Sequence, residues 1–181
     1  MSSHAAKDHN VSSAHSHGNQ SHTSAHSTED RQALGKKLFE WFFKDYVPNW
    51  AAMGRREQPE KNILGYWGVP MYKSYAGTNE CLLTADTVVG FLASMHGPLK
   101  NGGYDHTTIV DPRVTVYTSV AGGVDVIWSR CRKDETEIER IAAHFEVRLG
   151  KEGWRVVSAT GTPTTAKTID ASWVGYKRAV V

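Results

Sequence analysis

At Tyr104 the chain changes its period. Before this point the longer apolar stripes recur at three- and four-residue spacing, on either side of one extended aromatic stretch; after it apolar residues alternate with polar ones. Helices first and strands second select an α+β layer fold over an alternating parallel one. Strands are expected near 104–110, 113–120, 123–133, 138–149 and 153–161. Their separators are Asp111-Pro112, Gly122-Gly123, Lys133 to Glu135, and Gly150 to Gly153. Such short polar or glycine turns join successive strands into an antiparallel sheet.

Three helices are expected to precede the sheet. The first opens at Ser27 or Thr28, with Glu29 and Asp30 suited to its positive end. Leu34, Leu38, Trp41, Phe42 and Tyr46 form its apolar stripe, and Pro48 is expected to stop it. A short helix follows from Pro59 to Leu64. The aromatic stretch "LGYWGVPMYKSY" reads as extended, and its Pro70 favours an edge strand. The third helix starts at Thr84, buries Val88, Val89, Phe91, Leu92 and Met95, and is expected to end at Gly97-Pro98.

Residues 1–28 are Ser, His, Asn and Ala with almost no large apolar side chain, the composition of a disordered tail. Six of the nine histidines (His4, His9, His15, His17, His22 and His26) lie there, at irregular spacing. Such imidazoles pick up metal loosely, and no metal site is expected. The folded domain is expected over 29–165, followed by an extension over 166–181 in which Trp173 and Tyr176 suggest partial docking. With about 150 folded residues such a domain buries roughly 70% of its unfolded surface, so no metal or disulfide staple is required. Cys81 and Cys131 read as two free thiols, with a disulfide left open. The net charge of +2 is small for a nucleic-acid binder. There is neither an 18-residue apolar run nor a secretory signal, so the expectation is a cytoplasmic protein with no membrane contact.

Two strands decide what a site could be made of. In the fourth, Ile141, Ala143, Phe145, Val147 and Leu149 alternate with His144, Glu146 and Arg148. A sheet covered on one side turns its apolar set inward, so His144, Glu146 and Arg148 are expected outside, on a polar or dimer-forming face. In the third, Val124, Val126, Trp128, Arg130 and Arg132 share the inward face. Arg130 either escapes to water at the rim or lines a cavity as a forked donor to an anion or carbonyl.

"HTTIVDPRVTVYTSVAGGVDVIWSR" followed by "HFEVRLGKEGWRVVSATGTP" resembles the second half of a SnoaL-like, nuclear-transport-factor-two-like domain. The "HTTI…P.V.V" segment, the arginine ending the next strand and the "GW" turn are similar to the association domain of calcium/calmodulin-dependent protein kinase II. The resemblance covers residues 29–162. It implies a cone: three N-terminal helices on a curved antiparallel sheet, with an internal pocket and dimerisation through the outer sheet face. It also implies that Arg130 lines the pocket. A further pocket arginine of that association domain falls near Phe145 here, so the multi-arginine pattern is not kept.

Within such a cone the ligand-binding candidates are Tyr46, Trp50, Trp67, Tyr72, Tyr104, Trp128 and Arg130: aromatic walls with a few polar groups, for a small apolar organic molecule. The catalytic candidates are His106, Asp105 and Arg130. Asp105 and His106 are adjacent, so both enter one pocket only across a bulge. No carboxylate occurs in "GYWGVPMY", roughly where ketosteroid isomerases place their base. Phosphate-loop, nucleophile-elbow and dinucleotide motifs are missing too. The expected function is therefore small-molecule binding, with cofactor-free isomerase, cyclase or dehydratase chemistry by acid–base catalysis. The alternative is a non-catalytic dimerisation or ligand-sensing module.

Overall fold

The computed structural model describes residues 28–75 and 77–173. The His-rich segment and Tyr176 lie outside the described residues. Helix α1 (Thr28–Glu40) carries Glu29 and Asp30 in its first turn and runs into a wider π-helical turn (Trp41–Tyr46), then into α2 (Val47–Gly54). Pro48 therefore does not stop the run. The π turn hands Val47 N–H to the Phe42 carbonyl, and Pro48 enters at the start of α2, where a missing N–H is tolerated. A 3₁₀ helix (Glu60–Gly65) follows. Helix α3 (Ala85–Asn101) begins at Thr84, whose hydroxyl and backbone exchange hydrogen bonds with Thr87. It continues past Gly97-Pro98. Pro98 sits on the more open side while His96 and Leu99 are buried on the other, and that burial carries the last turn.

The sheet has six strands in the order β2-β1-β6-β5-β4-β3. They are β1 (Trp67–Tyr75), β2 (Thr78–Leu82), β3 (Tyr104–Thr118), β4 (Ala121–Arg132), β5 (Glu137–Gly150) and β6 (Gly153–Pro163). All neighbours are antiparallel except β1 and β6, which run parallel. Strand β2 was not anticipated, and it makes β1 an interior strand. Pro70 is accommodated there because it falls within a break in the β1–β6 register, where no ladder donor is needed. The strands expected at 104–110 and 113–120 are one strand. Asp111, at φ 47°, and Pro112 form a bulge within it. The next turn is Ser119-Val120, ahead of the glycines expected to form it.

Gly122 and Gly123 instead lie inside β4. A Cβ on Gly122 would stand 2.7 Å from the Thr115 carbonyl oxygen and 2.8 Å from Leu38 Cδ2. Its bare backbone lets α1 lie close on the sheet.

The helices cover one sheet face. Leu38, Phe42, Met53, Ile63, Leu92, Val124, Val126, Val147 and Val156 are fully buried in that core. Burying each such side chain contributes about 1.5–3 kcal/mol. On the outer face Ile127 and Ala142 are covered by Ile169 of the short helix α4 (Ile169–Ser172) and by Trp173. Asp111 accepts the Ile169 N–H, and Arg113 grips Asp170. Cys81 and Cys131 are free thiols. Among the described residues no helix is long and apolar enough to cross a membrane.

Candidate functional site

Between the helices and the inner sheet face lies a cavity of about 60 Å³. The π turn and α2 supply Tyr46, Val47 and Trp50, and α3 supplies Phe91 and Met95. The sheet supplies Trp67 and Tyr75 from β1, Thr107 from β3, Trp128 and Arg130 from β4, and Ile141, Ala143 and Phe145 from β5. Strand β6 closes it with Ala159, Thr160 and Gly161. A Cβ on Gly161 would meet the Tyr75 ring at 3.0 Å, so glycine lets that ring lie against β6. The π turn matters here. By adding a residue to the helical turn it turns Phe42, Phe43 and Tyr46 together toward the core.

The one charged side chain that lines the cavity among the described residues is a donor. Arg130 is 7% exposed, its guanidinium lies 4.6 Å from the Trp50 ring centroid, and its Nη1 donates to Glu139. Glu139 stands directly opposite it on β5. Arg130 Nε has no hydrogen-bond partner. The Tyr46 hydroxyl accepts from Trp67 Nε1 at 3.1 Å, which leaves its own proton to give. Burial pushes the Tyr46 phenol far above its ordinary range, so it stays neutral. Burial also raises Tyr75, reinforced by the Glu139 charge and opposed by Arg130.

Of the residues singled out in the sequence, Tyr46, Trp50, Trp67, Trp128 and Arg130 meet in this cavity. Tyr72 and Tyr104 do not line it. Tyr72 is 63% exposed, because it alternates with the inward Met71 and so points to the other side of β1. Tyr104 is buried beside Trp50, with its hydroxyl 2.7 Å from that of Thr107. Asp105 and His106 lie outside the cavity lining as well. The register shifts between Tyr104 and His106, and the two side chains pair with each other (Nδ1 to Oδ2, 3.1 Å) while His106 Nε2 meets Glu135 at 3.3 Å. The bulge that was needed to bring both into the pocket exists, yet both side chains stay partly exposed and outside the lining. His144 is on the outer face as expected, between Asp125 at 2.9 Å and Glu146 at 3.3 Å.

Residues 36–164, well over half the chain, match the family of NTF2-like proteins DUF6841. The chain belongs to this NTF2-like family. No curated protein matches it. Among solved structures it is similar to one named for a calcium/calmodulin dependent protein kinase II association domain from Xanthomonas campestris (TM-score 0.52, 10% identity, covering 72% of this chain and 87% of that one). A protein named for ketosteroid isomerase from Shewanella frigidimarina gives 0.51 at 13% identity, covering 72% and 94%. An uncharacterised protein with a cystatin-like fold from Caulobacter vibrioides gives 0.51 at 9%, covering 72% and 90%. Identities this low show the fold alone. For this NTF2-like chain the cavity lies inside the cone, between the helices and the concave wall of the sheet.

Two groups of this NTF2-like cone escaped sequence reading. Glu139 continues the inward alternation of Ile141, Ala143 and Phe145 by one step, a signal that was there to be read. His96 is fully buried on α3, edge-on to Trp50 with ring centroids 4.5 Å apart, and neither ring nitrogen has a hydrogen-bond partner. The Glu60 carboxylate stands 3.6 Å from Nδ1, just beyond hydrogen-bond reach. Burial, then the Lys100 charge, lowers the His96 pKa to about 4, against a smaller upward pull from Glu60. Among the described residues no cluster of His, Cys, Asp and Glu is arranged to hold a metal ion.

Proposed function

We propose that this NTF2-like chain binds a small, one-ring organic molecule through an oxygen acceptor, and that it is a binding module more than an acid–base enzyme. The observation that carries this is Arg130: a buried guanidinium in an aromatic cavity, with an Nε–H that nothing in the protein accepts. Buried donors left without a partner destabilise a fold by about 1–3 kcal/mol, and in a residue that lines a cavity a bound acceptor relieves that cost. Tyr46 offers a second donor. Trp50, Trp67, Trp128 and Phe145 supply the apolar walls.

Isomerase, cyclase or dehydratase chemistry needs a group that takes a proton. The described lining offers two neutral tyrosines, two threonines and an arginine, with no carboxylate or imidazole. The His106–Asp105 pair, outside the lining, does not supply that base inside the cavity. This favours the ligand-sensing alternative. Any self-association we assign to the outer face around His144, Asp125 and Glu146, beyond the part that Ile169 and Trp173 cover.

The test is a thermal-shift screen of the full chain against one-ring ketones, amides, lactones and acids, beside Arg130→Met. Ligand at ~100 times its dissociation constant adds about 2.7 kcal/mol of stability. Stabilisation of the wild type but not of Arg130→Met supports the reading. A folded wild type that no class stabilises, or hits that survive Arg130→Met, would remove it.

A further inference from the structure

We infer that the cavity selects a neutral oxygen acceptor over a carboxylate, and that Glu139 is the residue that sets this preference. The inference rests on the ligand-binding reading above and adds the charge of the ligand.

Arg130 has two separable needs. Its charge is compensated: Glu139, opposite it in the β4–β5 register, forms an ion pair with Nη1. Its hydrogen bonding is incomplete: Nε–H has no acceptor, although the side chain is only 8% exposed. An incoming group is therefore wanted as an acceptor and unwanted as an anion. The other charged neighbours do not change this. Lys100 is occupied by Glu60 at 2.7 Å, behind His96. The low value of His96 keeps that ring neutral near pH 7. Tyr46 and Tyr75 are neutral. No second cation lines the cavity among the described residues.

A carboxylate would thus place two negative groups on one guanidinium in an apolar chamber, after losing its own hydration. Desolvating an uncompensated charge costs several kcal/mol, far more than desolvating an amide that keeps one good hydrogen bond. A ketone, amide or lactone oxygen can accept from the guanidinium where Arg130 lines the cavity, and leave the Arg130–Glu139 pair intact. The Trp50 face, already held by the guanidinium, favours a flat ring beside it.

The experiment compares isosteric pairs that differ in charge: benzamide with benzoate, and phenylacetamide with phenylacetate, at pH 7.5. Affinity is read on the full chain from tryptophan fluorescence. We expect the wild type to bind each amide at least about tenfold more tightly than its acid, a difference of ~1.4 kcal/mol. In Glu139→Gln the preference should fall to parity or invert, and benzoate should raise the melting temperature of the variant more than that of the wild type. The last readout separates charge complementation from a merely structural effect of the substitution. Acids that bind the wild type as well as the amides, or an unchanged ratio in Glu139→Gln, would overturn the inference alone. Failure of all four probes on both proteins would overturn the ligand-binding reading and this inference with it.

Discussion

Arg130 and Glu139 are partners of unequal burial, and the inequality has a measurable consequence. Arg130 has 8% of its side chain exposed and Glu139 33%. Removing Glu139 strands a buried cation; removing Arg130 leaves a carboxylate that can turn to water. Glu139→Ala should therefore cost about 3 kcal/mol, and Arg130→Met no more than about 1 kcal/mol, in urea denaturation. Equal losses would mean that the pair is not buried in this asymmetric way. His96 gives a pH signature. Its value is about 4 in the fold and 6.5 when unfolded. Above 6.5 the ring is neutral in both states. Between 6.5 and 4 only the unfolded chain takes up the proton, so stability falls as the pH falls, by on the order of 3 kcal/mol at most. His96→Leu should flatten the urea-unfolding free energy over that window; an unchanged slope would assign it to the carboxylates. Arg130 was legible because Val124, Val126 and Trp128 fix the inward face of β4 two residues at a time. Which carboxylate would meet it was not. That pairing depends on the 133–136 turn and on the bulge after Arg130, neither of which the alternation encodes.

At the scale of elements, the local signals with one physical meaning held and those with two did not. Thr84 caps α3, and the Gly150–Gly153 turn joins β5 to β6. Proline ends a helix only when its missing N–H and its ring fall where packing cannot compensate. Pro48 and Pro98 both sit where compensation is available, at the π-to-α junction and on the more open face of α3. Glycine likewise marks a turn or a close approach. Gly122 and Gly123 are both the second kind: Gly122 is approached by Leu38, far away in sequence, and Gly123 by Tyr117. Gly122→Ala should separate α1 from β4 and cost about 1–3 kcal/mol. Gly90 is exposed on α3, and a Cβ added there would meet nothing within 4 Å. Gly90→Ala should therefore do the opposite and stabilise by about 0.5–1 kcal/mol. Urea midpoints of the two variants check both signs.

Across the whole molecule, the sheet works on two faces. The inner face was legible because sustained alternation sets in at Tyr104 and the apolar set is continuous from β4 to β5, while the cone was implied by the resemblance to nuclear-transport-factor-two-like domains. The parallel β1–β6 pairing and the docking of α4 were not, since both depend on where distant segments meet. Ile169→Ala should uncover Ile127 and Ala142 and cost about 2 kcal/mol in thermal or urea unfolding. The central claim concerns the inner face, and the six tryptophans report on it site by site. Trp50, Trp67 and Trp128 line the cavity; Trp41 and Trp154 pack elsewhere in the core, and Trp173 lies on the outer face. The most direct measurement is a titration of ¹⁵N-labelled protein with benzamide, following the six indole N–H signals. The account predicts that the signals of Trp50, Trp67 and Trp128 move together and saturate, with Trp67 sensitive to the Tyr46 hydroxyl it donates to. Saturating shifts centred on Trp154 or Trp173, or no shift in any of the six, would contradict it.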